Sequence, residues 1–339
     1  PGQIEIRDAP VPAPQPGEVL LRIRCIGVCG SDVHVYHGKH PYTSYPVIQG
    51  HEFSAVLEAL GEGVTGLKPG CKVTAVPQLV CSECAPCRRG DYHICDRLMV
   101  QGFQASGCAQ ELWITAADKI VPLPDTLTFE QGALVEPIAV AVHAISRAGK
   151  ISGRNVAVLG AGPIGNLVAQ VASSAGARVL ITDLSDYRLE VAKRCGVEAI
   201  SNAREEALAQ ASARVFGQEG FDVAFECVGV ETTMTSAVAV IQKGGTLVIV
   251  GVFGEKPRLD LGLVQDRELN LCGTLMYQRH DYERAVELIA SGDITTSPLL
   301  SKHFSMDNYI EAYRFIDAQG DKSMKVFIDV GDLRHLGTK

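Results

Sequence analysis

Residues 155–165 read NVAVLGAGPIG, and residues 180–185 read LITDLS. Asn155–Leu159 has the length and apolar character of a buried strand. Gly160, Gly162 and Gly165 follow it as G-x-G-x-x-G at the head of a helical stretch. In such a turn the first glycine permits the tight bend, and the second lets a pyrophosphate approach the backbone. The third lets helix and strand pack closely, while the helix N-terminus, with Pro163 and Ile164 in its first turn, supplies a positive field. Asp183 stands at the end of the next strand, where a carboxylate accepts hydrogen bonds from ribose hydroxyls and repels a 2′-phosphate. The spacing therefore predicts a dinucleotide site for NAD rather than NADP. Arg188 is a candidate to stack on the adenine, with a solvated helix residue as the plainer alternative.

Outward from this turn the pattern stays regular. Apolar strands are predicted at 155–159, 178–182, 198–201, 221–226, 245–251 and 268–274, separated by helices at 163–175, 186–195, 204–216 and 231–241. Such alternation implies a parallel, doubly wound sheet with helices on both faces, an α/β fold. Residues 1 to about 140 differ in texture. They are rich in Gly and Pro with short β-type runs, such as Glu18–Cys25 (EVLLRIRC) and Lys72–Pro77 (KVTAVP), and read as a mostly antiparallel β domain. After 275 come an amphipathic helix, Tyr282–Ser291, and a last strand, Lys325–Val330.

A length of 339 residues suits about two domains. The net charge of −8 argues against a nucleic-acid surface, which needs basic groups to neutralise phosphates. No run of 18 apolar residues marks a membrane span. The chain begins at Pro1 without an initiator Met, so a targeting signal could precede it. Seven of the 11 cysteines are scattered, which suits reduced thiols in a cytosol.

The other four, Cys81, Cys84, Cys87 and Cys95, are spaced C-x2-C-x2-C-x7-C. Four sulfurs so arranged can surround one ion, as a structural zinc requires. A disulfide knot is an alternative, as is an iron–sulfur cluster, although the further cysteine runs expected for electron transfer are missing. A second possible ligand set is scattered: Cys29 in GVCGSDVH (27–34), His51 and Glu52 in GHE (50–52), and Glu136 in VEP (135–137). Spacing alone does not separate these from ordinary core residues.

GVCGSD, GHE, the four-cysteine lobe, VEP and GAGPIG, in this order, resemble the zinc-dependent medium-chain dehydrogenases over essentially the full chain, most closely their polyol (sorbitol dehydrogenase-like) branch. The resemblance implies a GroES-like β catalytic domain at 1–144 and 278–339, carrying the lobe, and a Rossmann domain at 145–277, with the active site in the cleft between them. It implies two zinc ions per chain and NAD. Cys29 and His51 match the ligands of a catalytic zinc, with Glu136 in the place of the third. Glu52 resembles a carboxylate that enters or leaves the zinc shell, and Asp32 the acid that orients the histidine. Ser31 corresponds to the hydroxyl that takes the alcohol proton, and His34 to the histidine that passes it to water. Catalytic roles are thereby expected for Ser31, His34, Glu52 and Glu136.

The implied reaction is hydride transfer from a secondary alcohol to NAD, the alcohol being a polyol, sugar alcohol or sugar acid. Tyr36, His37, Glu136 and Tyr277 are the candidate pocket residues. An Arg-Tyr pair of sorbitol dehydrogenases corresponds to Met276-Tyr277 here, which argues against sorbitol itself. His93 resembles a position in threonine dehydrogenases, so threonine or a vicinal diol is the rival substrate. An inactive zinc-stabilised binding protein is the rival class. The resemblance also implies a homotetramer or homodimer in the cytoplasm.

Overall fold

A computed structural model describes residues 1–331. In chain order, β1 (Glu18–Val28) leads through α1 (Gly30–Tyr36) to β2 (Glu52–Leu60), β3 (Lys72–Ala75) and β4 (Gln78–Leu79). Next come α2 (Ala85–Arg88), β5 (Met99–Val100), β6 (Leu112–Ala116), β7 (Ile120–Pro122), α3 (Phe129–Ala133) and α4 (Val135–Arg147). An alternating stretch then contributes β8 (Asn155–Leu159), α5 (Pro163–Ser174), β9 (Arg178–Asp183), α6 (Asp186–Arg194), β10 (Ala199–Asn202) and α7 (Leu208–Phe216). It continues with β11 (Val223–Glu226), α8 (Glu231–Val240), β12 (Thr246–Ile249), α9 (Leu261–Asp266) and β13 (Asn270–Gly273). The last described elements are α10 (Arg279–Ser291), β14 (Leu300–Ser305), α11 (Tyr309–Gln319) and β15 (Lys325–Asp329).

These elements form two compact units. One comprises Pro1–Glu136, Gln278–Ala290 and residues 300–331; the other comprises Pro137–Tyr277 and Ser291–Leu299. The first holds a seven-stranded sheet in the order β14-β15-β1-β2-β3-β7, with β6 also on β1. Its long central strand β1 buries Val19, Leu21, Ile23 and Ile26 with Phe53, Leu57, Trp113, Tyr313 and Ile328. A separate two-stranded sheet pairs β4 with β5.

The second unit is a six-stranded parallel sheet in the order β10-β9-β8-β11-β12-β13, the doubly wound order expected of a nucleotide fold. Every residue of β8 is buried, as befits a parallel strand covered on both faces. Several element boundaries differ from the sequence reading by one to four residues. The helix predicted from 204 starts at Leu208 because Asn202 Oδ1 accepts from the Arg204 amide and its carbonyl from Glu205, which makes a turn instead. The strand predicted from 221 starts at Val223, and just before it the Asp222 carboxylate accepts from the Asn155 amide at 3.0 Å. Among the described residues no helix is long and apolar enough to cross a membrane.

Candidate active site and metal centres

The four lobe thiols converge. Cys81 and Cys95 sulfurs lie 3.4 Å apart, Cys84 and Cys95 3.8 Å, and Cys81 and Cys87 4.0 Å. A tetrahedron with zinc–sulfur bonds of about 2.3 Å has edges of about 3.8 Å, so this donor set fits one zinc ion. The separations far exceed a disulfide bond, and all four cysteines are free, which removes the disulfide knot. Backbone amides of Cys81, Cys84 and Arg97 donate to the sulfurs at 3.3 Å. Burial opposes ionisation of Cys81, but those bonds and the neighbouring thiols outweigh it and draw its pKa down to about 6. Burial and the same neighbours push Cys87 up to about 12. The loop between β4 and β5 has little core of its own, since α2 buries none of its residues. Outside the sulfurs it is tethered by the Tyr92 hydroxyl, which accepts from the Arg279 amide at 2.6 Å, and by His93 on Gln278 at 3.0 Å.

The second cluster sits on core strands. Cys29 is the N-cap of α1, and its amide donates to Asp32 Oδ2 at 3.0 Å. His51 follows Gly50, whose φ is +90° and whose absent Cβ would lie 2.8 Å from Cys108 Sγ. A glycine is required there. The loop is clamped by Gly107, Cys108 and Ala109 amides on the carbonyls of Ile48, Gly50 and Gln49. His51 Nδ1 and Asp32 Oδ1 face each other at 3.5 Å, both buried and without a closer partner. Burial alone would lower the pKa of His51, but Asp32 and then Cys29 prevail and hold it well above its ordinary value. Such an acid fixes the ring of a metal-ligating histidine. Ligand atoms of Cys29, His51 and Glu52 all lie within 4.8 Å of one another. A thiol, an imidazole and a carboxylate form a zinc donor set, so the residues present fit a second ion.

Glu136 opens α4 and is 6% exposed; it does not join that mutual set. Glu52 is instead engaged by Lys325, whose Nζ lies 2.5 Å from both carboxylate oxygens. Ser31, on α1, donates to Cys29 Sγ at 3.1 Å. His34 is exposed one turn further on.

In the second unit the three glycines behave as their motif demands. Gly160 has φ +102°, and a Cβ on Gly165 would lie 1.8 Å from the Gly160 carbonyl oxygen. Gly162 is the extended N-cap of α5, with Pro163 in the first turn. Asp183 receives the Ala161 amide at 2.6 Å and the Ser185 amide at 2.8 Å, one on each oxygen. Arg188 reaches back so that its guanidinium lies 3.8 Å from the Cβ position of Gly162.

Three pocket candidates are engaged by their surroundings. Tyr277 is 0% exposed. Tyr36 packs against the core, its ring 5.3 Å from that of Tyr313. His37 pairs with Asp317 at 3.0 Å on the surface. Spacing missed Phe103, whose ring lies 4.8 Å from that of His51 and lines a cavity of about 320 Å³ with Tyr42, Val47 and Ile48. His40 stacks on the same ring at 4.7 Å. Burial, then the nearby His34, lowers the pKa of His40.

Residues 15–125 match the alcohol dehydrogenase GroES-like domain, and residues 163–291 match the zinc-binding dehydrogenase family. The chain is 38% identical to 2-dehydro-3-deoxy-L-galactonate 5-dehydrogenase of Pseudoalteromonas atlantica, covering 92% of each chain. It belongs to the zinc-dependent medium-chain alcohol dehydrogenases. Sorbitol dehydrogenase of Ovis aries is 34% identical to this dehydrogenase, over 92% of this chain and 90% of the relative. Galactitol-1-phosphate dehydrogenase of Escherichia coli superposes with a TM-score of 0.90 at 29% identity, covering 97% of each chain. A zinc-binding dehydrogenase of Sinorhizobium meliloti, solved with NADP, gives 0.90 at 30% identity, covering 97% and 96%. The dehydrogenase thus pairs a GroES-like domain with a Rossmann-like parallel sheet.

Proposed function

We propose that this dehydrogenase oxidises a secondary hydroxyl of an acyclic polyol or sugar acid, with the first unit as catalytic domain and the second as NAD-binding domain. The observation that carries this reading is the meeting of Cys29 and His51 beside Ser31, with Asp32 behind the imidazole. Cys29 and His51, with the carboxylates Glu52 and Glu136, would hold the catalytic zinc, and the lobe thiols a structural one. A zinc ion so held supplies Lewis acidity that lowers the pKa of a hydroxyl, and a nicotinamide supplies the hydride acceptor. Ser31 takes the hydroxyl proton and passes it to His34, an exposed imidazole that can release it to water. Asp32 keeps the His51 ring in one orientation. Asp183, aligned by the Ala161 and Ser185 amides, receives the ribose hydroxyls and supports NAD over NADP. Arg188, beside Gly162, would cover the adenosine end.

Phe103 sets an aromatic wall beside His51. The relatives named for sugar acids and polyols support the substrate class. A homo-oligomer is carried over from the resemblance, and light scattering measures it. The decisive test is NADH formation across polyols, sugar acids, vicinal diols and threonine. A sugar acid or polyol should give the highest kcat/KM. Threonine or butanediol exceeding all of them tenfold would overturn the substrate class, and no turnover with any would favour a binding protein.

A further inference from the structure

β11 ends on an acid, Glu226, that is 0% exposed. A buried carboxylate is costly unless hydrogen-bond donors replace its water. Here Oε1 accepts from the Val228 amide at 2.9 Å, the Gly229 amide at 2.9 Å and the Thr233 hydroxyl at 2.7 Å. Oε2 accepts from the Gly229 amide at 3.1 Å. α8 starts at Glu231, and its N-cap, Val230, brings no side-chain cap. The carboxylate therefore supplies the negative charge favoured at that helix N-terminus. The chemistry proposed above makes no use of this group.

The strand order β10-β9-β8-β11-β12-β13 reverses between β8 and β11, and an open α/β sheet takes its ligand at the carboxyl ends of the strands there. Glu226 is level with Leu159, the end of β8. The turn it fixes packs on the glycine turn. A Cβ on Gly160 would lie 2.7 Å from Val228 Cγ2, and one on Gly165 would lie 3.3 Å from Cys227 Cβ. On the other flank the Glu226 carbonyl accepts the Val250 and Gly251 amides, each at 2.8 Å. A Cβ on Gly251 would come 2.8 Å from Glu226 Oε2, and one on Gly229, whose φ is +81°, would strike the Val252 backbone. One buried carboxylate thus sets the 227–230 turn between the glycine turn and the turn after β12. We propose that Glu226 is a positioning residue for the dinucleotide, holding the 227–230 turn against Gly160 in the place the cofactor needs. The inference rests on the reading above that the second unit binds NAD. Without the charge, the Val228 and Gly229 amides lose a strong acceptor. The cofactor must then order the turn as it binds, which lowers affinity with no contact removed.

The test uses the full chain and follows NADH binding by its fluorescence, with hydrogen exchange on the cofactor-free protein. Glu226→Gln keeps the shape but weakens the acceptor. It should raise the Kd for NADH about 10-fold, the scale of one lost hydrogen bond to a charged group. The KM for NAD should rise with it, while the KM for the alcohol stays where it was. In the cofactor-free variant the amides of Val228 and Gly229 should exchange faster, and those of β8 and β11 should keep their protection. Thr233→Val removes one donor and should raise the Kd about threefold. It should add nothing in the Glu226→Gln background, because both act through one carboxylate. An unchanged Kd in Glu226→Gln overturns the proposal, as does an equal rise in both KM values, which general damage to the fold would give. Should Glu226→Gln fail to fold, Thr233→Val decides, and an unchanged Kd there overturns the proposal. Unaltered protein that binds neither NADH nor NADPH would instead overturn the nucleotide reading itself, and the proposal with it.

Discussion

The lobe and the Cys29–His51 cluster are both metal-ligand sets in the first unit, but they are built in opposite ways. The lobe gathers four thiols from 15 consecutive residues, 81–95, on a loop whose one α-helical turn buries nothing. Its shape has little to lean on besides the ion and the Tyr92 and His93 tethers. The other cluster draws on β1, β2, α1 and β15, whose strands form the core of the sheet. Its side chains are placed by the packed sheet around them. A local set makes metal a folding partner, whereas a set drawn from the core makes it a reagent.

That contrast can be broken by separating rate from stability. Ser31→Ala should reduce kcat about 100-fold, the scale of a lost proton-transfer group, while leaving Tm and zinc content unaltered. Full activity in this variant would remove Ser31 from the proton path. Gly50→Ala should cost about 1–3 kcal/mol, because a side chain is forced into positive φ against Cys108. It should lower Tm and metal retention at the core cluster together, as measured by thermal unfolding and metal analysis. A loss of lobe zinc in that variant would show that the two sets are coupled.

The smallest effect concerns pH. Thiols and a protonated imidazole must shed protons to bind metal, and the lobe has four thiols against one thiol and His51 at the other cluster. Cys81 ionises near 6, but Cys87 only near 12 without an ion. Zinc affinity of the lobe should therefore fall more steeply as pH drops from 8 to 6 than affinity at Cys29–His51. Competition with a chromophoric chelator, using Cys29→Ser and Cys95→Ser to isolate each site, measures both slopes. Equal slopes would contradict the assignment of four thiolate ligands.

How much of this was legible follows from the same distinction. The Rossmann-like half could be read residue by residue, since a strand, a glycine turn and a helix are local patterns. The lobe was equally plain, because its ligands are close in sequence. Cys29, His51 and Glu136 were indistinguishable from core residues until the family resemblance was invoked. Lys325 escaped altogether: it lies 273 positions from the carboxylate it holds, and a lysine at the head of a strand usually points to water. For Tyr36 and His37 at the end of α1, and Tyr277 in the loop before α10, spacing does not tell which face meets the core. Phe103 became visible only once the 101–109 loop was seen packed on His51.

Hydrogen exchange on the protein stripped of zinc, beside the zinc-loaded protein, tests the contrast most directly. If the lobe stands on its metal and the other cluster on the core, amides of 81–91 should lose protection when zinc is removed. Those of β1, β2 and β15 should keep theirs, and metal analysis of the loaded protein should count two zinc ions per chain. Protection retained throughout the lobe, or lost across β1 and β2, would contradict this division between a metal that folds and a metal that reacts.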